Sequence, residues 1–364
     1  HDELINALAS GTGPDLFIME HEYLLRHRDK AFEIPYESFP QTSYENLYIN
    51  GADIFLTDTG ISGFPMTVDP LVMYYNKALV SSSFLLSIPE FWKEFPAFSS
   101  QVAEYSPNGE ITISPVALGT YDNIDHAKSI LAAMFMQNSN NIVGFNASER
   151  KYRSLLSASE EDVNRTREVL NFYTSFAQLG SDTYSWNEAL NDSSDEFISG
   201  DLAVYFGRAS EAEDITRKNP NLNLGVALLP QTDQNNLKVT EGAMMGIAIS
   251  KQAKNISLAL VAASRFTGKD LVEGLAADLN VAPARKDLLG QKPESAFRSL
   301  VYDSAIISRG WLDTEPEETS TVFSRMIRDV NTSAASAVDS LRNAHLDMNR
   351  ILDKTINTSI QEIE

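Results

Sequence analysis

Cysteine is absent from this 364-residue sequence, and so is any apolar run of membrane-spanning length. Without cysteine the chain has no disulfide bond, no cysteine-bound iron–sulfur cluster and no catalytic thiol. A membrane-spanning helix needs about 18 or more consecutive apolar residues. The two absences predict a soluble globular protein and are compatible with export from the cytoplasm.

Basic residues are scarce relative to acidic ones. The chain has 29 Lys and Arg against 50 Asp and Glu, and its formal net charge is -21. So negative a surface repels phosphate backbones and anionic lipids, which argues against nucleic acid as a partner. With 43% hydrophobic residues the chain can bury one or two cores, and its length predicts two lobes.

The common catalytic and metal-binding motifs are also missing. Neither G-x-S-x-G nor G-x-G-x-x-G occurs, and FTGKD departs twice from a phosphate-binding P-loop. His21 and His27 lie about 240° apart on a helix, whereas paired metal ligands share one face. The sequence thus predicts no metal and no cofactor. A pair of acidic residues for glycoside cleavage stays open, because acidic residues are abundant and their separation in space is not visible.

Short apolar runs alternate with segments of helical periodicity. Helices are predicted over residues 2–9, 126–138 and 162–179, with Gly180 as a left-handed stop, and from 320 to the end. Strands are predicted at 15–19, 111–118, 202–207, 224–230 and 244–250. This alternation predicts an α/β fold with mostly parallel sheets flanked by helices.

Four segments, in this order along the chain, resemble the bacterial extracellular solute-binding proteins of family 1, the sugar-binding receptors of ABC transporters. The segments are LINALASGTGPDLF, GFPMTVDPLVMYYNKALV, FISGDLAVYFGRAS and EGAMMGIAISKQAKN. The chain departs from the family pattern at Val204, where Met is usual, and at IPEFWKEF, which replaces a Thr-Trp-Asp-Glu segment. The family's first strand, helix and second strand have no counterpart, so we expect that an N-terminal part has been removed.

The resemblance implies a two-lobed periplasmic-binding-protein fold of the type II kind, with a ligand cleft between the lobes. The N-terminal lobe would comprise 1–114 and 240–302, and the C-terminal lobe 115–239 and 303–364. The chain would cross between lobes near 111–119, 235–244 and 300–312.

Several candidate ligand-binding residues follow predicted strands, because ligands of open α/β sheets bind beyond the carboxyl ends of strands. Sugars are bound by aromatic faces together with carboxylates and amides. The candidates are Glu20, Glu22, Asp69, Tyr121, Asn123, Trp186, Arg208, Ser210, Gly242 and Trp311. Alternatives stay open: either Trp can be a core residue, the two Glu can form a solvated face, and the glycine can serve close packing.

The resemblance further implies a receptor that captures a sugar or oligosaccharide outside the cytoplasm, in the periplasm or as a lipid-anchored protein on the outer face of the cell membrane. It would be a monomer, would act on no bond, and would have the permease subunits of an ABC importer as its partners. An exported carbohydrate-processing enzyme and a surface adhesion module are the alternatives.

Asp69 interrupts the apolar run of residues 63–80 and is followed by Pro70. A buried unpaired carboxylate costs several kcal/mol, so Asp69 is expected to have a partner or to face a polar cavity. Proline cannot donate a ladder hydrogen bond and restricts the residue before it. We therefore expect two strands with a break at Asp69, and the break would present the carboxylate to a ligand.

The Asp69→Ala substitution should weaken ligand binding by at least about tenfold, since a hydrogen bond to a charged group contributes about 1.5–3 kcal/mol. The melting temperature without ligand should hardly change. Calorimetric titration and thermal melts measure the two quantities. A large loss of stability in the unliganded protein would instead identify Asp69 as a structural partner.

Overall fold

A computed structural model describes residues 2–83, 87–232 and 237–361 of the protein. The helices are α1 (Asp2–Ala9), α2 (Leu24–His27), α3 (Gln41–Leu47), α4 (Lys77–Ser82), α5 (Phe95–Val102), α6 (Ala127–Gln137), α7 (Glu160–Ser175), α8 (Ser193–Ser199), α9 (Ala212–Lys218), α10 (Ile256–Phe266), α11 (Lys269–Asp278), α12 (Lys286–Leu289), α13 (Ala296–Ile306), α14 (Pro316–Asn331) and α15 (Ala337–Gln361). The strands are β1 (Leu16–Glu20), β2 (Ile34–Pro35), β3 (Gly60–Ile61), β4 (Phe64–Asn76), β5 (Glu104–Tyr105), β6 (Ile111–Val116), β7 (Val143–Asn146), β8 (Lys151–Ser154), β9 (Leu202–Arg208), β10 (Leu224–Leu228), β11 (Thr240–Ile249), β12 (Ala282–Pro283) and β13 (Ser308–Arg309).

The helices predicted from periodicity are present, but the C-terminal end of α7 lies earlier in the chain than predicted. Helix α7 begins where Ser159 accepts a hydrogen bond from the Asp162 N–H, and three acidic residues occupy its first turn. It ends at Ser175, four residues before the predicted end. The Ser175 carbonyl accepts a hydrogen bond from the Thr183 hydroxyl at 2.9 Å, so a tertiary contact takes the last carbonyl. Gly180 is left-handed as predicted, with φ 87°, but lies in the following turn.

The described chain divides into two compact units. The first comprises residues 1–70, 242–316 and 353–364. Its sheet places β11 between β1 and the first half of β4, with β12 also paired to β4 and β13 to β11. Helices α10, α11 and α13 bury one face each, through small or medium side chains such as Ala259, Val272 and Val301.

The second unit comprises residues 71–241 and 317–352. Its sheet is built on the second half of β4, which pairs with β9 and β10, while β6 pairs with β9 and β5 with β6. The strands β7 and β8 form a separate hairpin. The core is rich in fully buried aromatic residues, among them Phe135, Tyr173, Trp186, Phe197 and Phe206.

The α/β class and the predicted two-lobed type of fold are confirmed, but the prediction of mostly parallel sheets is wrong. Among the ladders whose register is described, only β6 with β9 is parallel in these two sheets. Strands β1 and β4 do run in the same direction, but β11 lies between them and runs the opposite way. Alternation of strands and helices does not reveal that a distant strand inserts between two neighbours.

The predicted break at Asp69 is also wrong, because β4 continues without interruption through Asp69 and Pro70. The strand changes its partners there: Pro70 is opposite Gly242 of β11, and Leu71 is opposite Arg208 of β9. Proline has no N–H and cannot donate a hydrogen bond to a neighbouring strand. This is tolerated at Pro70 because β4 changes there from one neighbouring strand to the other. The division between the two units falls at the same peptide bond, Pro70 to Leu71.

The unit boundaries do not coincide with the predicted lobe boundaries at 114/115, 239/240 and 302/303. The chain passes between units at 70/71, 241/242, 316/317 and 352/353. The predicted crossing near 235–244 includes 241/242, although 235 and 236 lie outside the described residues. Strand β6 and its flanks, predicted as a crossing, lie wholly in the second unit, because β6 pairs with β5 and β9 there. The assignment of these units as functional lobes stays a prediction.

Gly119 and Gly180 both have a left-handed backbone conformation, but only Gly119 is closely packed. Substitutions at the two positions therefore separate the cost of the backbone conformation from the cost of a steric clash. Gly119 has φ 107°, and an added Cβ would lie 2.5 Å from the Ala177 nitrogen; Gly180 has φ 87° and open space around the same position. Gly180→Ala should lower the free energy of unfolding by about 1–2 kcal/mol, the cost of a left-handed non-glycine residue. Gly119→Ala should lower it clearly further, since its methyl group also meets backbone. Urea unfolding measures both, and equal losses would contradict the described packing of Gly119.

Candidate functional site

In the first unit, Glu20 and Glu22 flank a buried histidine. Glu20 is the exposed last residue of β1 and Glu22 is half-buried in the following turn. His21 between them is 1% exposed, and its Nδ1 accepts a hydrogen bond from the Met244 N–H at 3.1 Å. The turn is therefore fastened to β11 by the imidazole, and both carboxylates remain outside the core.

Asp69 and Gly242 lie on adjacent strands of the same sheet. Asp69 is half-buried and opposite Ala243, next to the Gly242–Pro70 pair. A Cβ at Gly242 would lie 2.7 Å from Ser308 Cβ and 2.8 Å from Val68 Cγ2. Close packing of β11 thus accounts for this glycine, which is the alternative that the sequence left open.

Trp311, the fifth candidate in the first unit, is buried at 4% exposure. It follows Gly310, where an added Cβ would lie 2.5 Å from His21 Cδ2. The segment that carries Trp311 therefore packs against the turn that carries Glu20 and Glu22. The structure brings these three candidates to one region, although the indole itself is in the core.

In the second unit, Asn123 organises the loop after β6. Its Oδ1 accepts hydrogen bonds from Thr120 Oγ1 at 2.6 Å and from Trp186 Nε1 at 3.1 Å. Its Nδ2 donates to the carbonyls of Asn187 and Leu190. Trp186 is fully buried, and its hydrogen bond to Asn123 joins two loops.

Tyr121 lies in the same loop and is half-buried. Its hydroxyl is 2.6 Å from Ser320 Oγ of α14, and the preceding carbonyl, that of Thr120, accepts a hydrogen bond from Tyr173. The loop is thus held from both sides, by α7 through Tyr173 and by α14 through Ser320.

Arg208 and Ser210 follow β9, and the guanidinium of Arg208 is buried in an ion pair. It lies against Glu241, a carboxylate that is 1% exposed, and donates to Ser129 Oγ at 3.0 Å. Removal of one partner from a buried pair is costly, because it leaves the other charge in a medium of low dielectric constant. Ser210 is half-buried beside it.

Glu211 is a residue of this region that the sequence reasoning missed. Its carboxylate accepts hydrogen bonds from the Arg208 N–H at 3.0 Å and the Tyr205 hydroxyl at 2.6 Å, and it contacts His126 Nε2. Burial alone would raise the pKa of Glu211, but the His126 contact and these hydrogen bonds lower it below its ordinary value. Burial and the same carboxylate raise the pKa of Tyr205. The sequence carries no capping-box signal for Glu211, because the residue three positions before it is Arg208 and not Ser or Thr.

The candidates thus fall into two sets of five, one in each unit. Within the first set, β11 and His21 bring the Glu20–Glu22 turn, Asp69, Gly242 and Trp311 onto neighbouring elements. Within the second set, Tyr121, Asn123 and Trp186 share one network, and Arg208 with Ser210 belongs to the Glu211 and Glu241 network. Asn123 and Arg208 are each positioned by a buried partner, Trp186 and Glu241 respectively.

Among the described residues, no group of three or more His, Asp or Glu side chains is arranged to hold a metal ion. In the same part of the chain, no helix has both the length and the apolar character that crossing a membrane demands.

Comparison with known proteins gives a family and several solved structures. The family model for bacterial extracellular solute-binding proteins matches residues 1–296. No curated protein sequence gives a significant match. A cyclo/maltodextrin-binding protein in complex with maltotetraose is similar in fold, with TM-score 0.74, 17% identity, and coverage of 96% of this chain and 85% of that chain.

Two further structures are similar at 17% identity. One is an ABC transporter solute-binding protein from Thermotoga lettingae bound to α-D-tagatose, with TM-score 0.67 and coverage of 96% and 88% of the two chains. The other is an ABC substrate-binding protein from Listeria monocytogenes in complex with cycloalternan, with TM-score 0.66 and coverage of 96% and 87%. At this identity the similarity establishes the fold.

The Glu211→Gln substitution tests the carboxylate's role through the pH dependence of stability. A carboxyl group whose pKa is lowered by folding stabilises the protein above its unfolded-state pKa, near 4.5 here, and this contribution is lost as the pH falls through the folded-state pKa. The variant should be less stable by about 1–2 kcal/mol at pH 6, and the difference should shrink below about pH 4.5. Urea unfolding from pH 3 to 6 measures it, with exposed Glu188→Gln as control. A constant difference at all pH values would contradict the assignment.

Proposed function

We propose that this chain, which belongs to the bacterial extracellular solute-binding protein family, captures an oligosaccharide outside the cytoplasm and delivers it to the permease of an ABC importer. The observation that carries the proposal is the family match over residues 1–296 together with a fold shared with proteins that hold maltotetraose, cycloalternan or a ketose. The likeness in fold does not select among these ligands, so the ligand class rests on the chemistry of the candidate residues.

In this proposal the first unit supplies acceptors for sugar hydroxyls. Glu20, Glu22 and Asp69 keep their carboxylates outside the hydrophobic core, and a carboxylate accepts hydroxyl donors in pairs. Gly242 keeps β11 close-packed beside Asp69, and Trp311 anchors the segment that packs on the Glu20–Glu22 turn.

The second unit carries the other five candidate residues. Tyr121 and Ser210 contribute half-buried hydroxyl groups, and Arg208 contributes a guanidinium group that is neutralised by Glu241. Asn123 and Trp186 hold the loop of Tyr121 in place. The net charge of -21 opposes a strongly anionic ligand, which favours a neutral sugar.

The proposal includes three further points. The protein acts as a monomer, in the periplasm or lipid-anchored at the outer face of the cell membrane, and recognises the permease subunits in the membrane. It binds its ligand without turnover, as is expected of a solute-binding protein. It uses no cofactor and no metal.

Purified protein should bind at least one neutral oligosaccharide from a panel of maltotetraose, mannotriose and cycloalternan, with α-D-tagatose included as a monosaccharide. A ligand at 100-fold excess over its Kd should stabilise the folded protein by about 2.7 kcal/mol, visible as a rise in melting temperature. Isothermal calorimetry then gives the affinity. Glu20→Ala should weaken binding, and Glu188→Ala, at an exposed position outside the candidate set, should not.

Two outcomes would contradict this function. The first is failure of the whole panel to shift the melting temperature or release heat. The second is the appearance of shorter sugars when the bound oligosaccharide is analysed by chromatography after prolonged incubation, which would favour a carbohydrate-processing enzyme.

A further inference from the structure

A cavity of about 440 Å³ lies within the second unit, between the first half of α7, the segment before it and the start of α15. Its lining combines charged groups, uncharged polar groups and small apolar side chains. The lining residues are Glu160, Arg167 and Arg342, then Ser157, Ser159 and Asn164, then Ala158, Val163 and Val338. None of the ten candidate residues is among them. The volume is within the roughly 300–1,000 Å³ of small-molecule sites.

Arg167 is half-buried, and within the part of the chain that the structure describes its guanidinium has neither a hydrogen bond nor an ion pair. The residues three and four positions away on α7 are Val163, Asn164, Leu170 and Asn171, so the helix itself supplies no carboxylate. A guanidinium carries five N–H donors in a planar fork that fits a carboxylate or a phosphate. The missing acceptors therefore point to an anionic group as the ligand of Arg167.

Arg342 brings a second guanidinium to the cavity from α15. It forms an ion pair with Asp339 at 3.6 Å, in which both side chains are 62% exposed. An exposed pair of this kind is weak, so Arg342 can share its N–H donors with a ligand. Charges more than about 10 Å away are largely screened at 0.1 M salt. The two arginines thus favour an anion here, although the net charge of the chain is -21.

Glu160 limits the negative charge that the cavity accepts. It is the exposed first residue of α7 and, among the described residues, has no hydrogen bond or ion pair. Its carboxylate repels a second negative charge, which favours a singly charged carboxylate over a phosphate monoester with a charge of about -1.5 to -2. Glu160 and Arg167 lie about 10 Å apart along the helix, at 1.5 Å per residue. The ammonium and carboxylate of an amino acid are attached to one carbon and are too close together to match both.

The uncharged polar residues suit a ligand with several hydroxyl groups. Ser157 is half-buried and Asn164 is exposed, and in the described part of the chain neither side chain has a hydrogen bond. The hydroxyl both donates and accepts, and the amide supplies two donors and an acceptor. Ser159 is already used, because its Oγ accepts from the Asp162 N–H at 3.1 Å and donates to the Asp162 carboxylate at 2.6 Å.

We propose that this cavity binds a hexuronate, a sugar whose ring carries one carboxylate. The carboxylate lies between Arg167 and Arg342, and hydroxyls on the opposite side of the ring donate to Glu160. A C–H face of the ring packs on Val163 and Val338, which are both half-buried. A neutral sugar would leave Arg167 without an acceptor, and a simple carboxylate would leave the hydroxyl partners unused. This site is separate from the ten candidate residues and does not depend on the proposed transport function.

The test uses the intact protein with ¹³C-labelled valine methyl groups and D-galacturonate as the probe. The NMR signals of Val163 and Val338 should shift during the titration, whereas that of Val301, buried in the first unit, should not. This readout distinguishes the cavity from any other sugar site on the chain. D-galactose, acetate, inorganic phosphate and L-serine each lack the carboxylate, the sugar ring or both. They should shift the same two signals only at higher concentration.

Two variants test the arginine and the cavity itself. Arg167→Gln should weaken D-galacturonate binding by about fivefold, the upper end for a charge pair in contact with water, and leave D-galactose binding unchanged. Ala158 is exposed and lines the cavity, so Ala158→Trp should fold normally and abolish binding by filling the space. The matched controls are Arg165→Gln on the same helix and Ala334→Trp at an exposed position, neither of which lines the cavity. Both should bind like the wild type, and thermal melts check that all four variants are folded.

The proposal is overturned if the Val163 and Val338 signals do not shift at the solubility limit of D-galacturonate. It is also overturned if D-galactose, acetate, phosphate or L-serine shifts them at an equal or lower concentration. The third contradicting outcome is a folded Arg167→Gln or Ala158→Trp variant that binds D-galacturonate like the wild type.

Discussion

The polar side chains at the strand ends of the second unit depend on one constraint: a charge taken out of water must be matched inside the protein. The charge of Arg208 is matched by the carboxylate of Glu241, which is 1% exposed. The charge of Glu211 is stabilised by hydrogen bonds that its carboxylate accepts from the Arg208 N–H and the Tyr205 hydroxyl. The two carboxylates thus hold Arg208 at its side chain and at its backbone, and so determine where Ser210 lies.

The same network reaches the loop after β6. Glu211 contacts His126, which begins α6 in a left-handed conformation with φ 58°, and a non-glycine residue there costs about 1–2 kcal/mol. Asp125 beside it accepts hydrogen bonds from the Ser193 hydroxyl and the Ser194 N–H, and its pKa is lowered because these hydrogen bonds outweigh its burial. The strain at His126 is therefore offset by the contacts that Glu211 and Asp125 make on either side of it.

Much of the local structure was predictable because it depends on neighbours in sequence. The strand of residues 202–207 and the helix of residues 126–138 are observed within one residue of their predicted ends, since β-branched or aromatic runs and helical periodicity act locally. At Asp69, local sequence was not sufficient to predict the structure. The missing N–H of Pro70 was recognised, but the strand continues, because β9 replaces β11 as its neighbour there.

The candidate site likewise has features that the sequence reveals and features that it does not. The family resemblance depends on four segments of sequence, and the residue types suited to sugars can be read directly from them. The sequence could not reveal that Trp186 and Trp311 are buried, nor that Arg208 is paired with Glu241, 33 residues away in the chain. The sequence by itself determined the fold class, the family and the kinds of side chain available. Only the tertiary structure decided which of them face the core, because burial and charge pairing depend on residues that are distant in sequence.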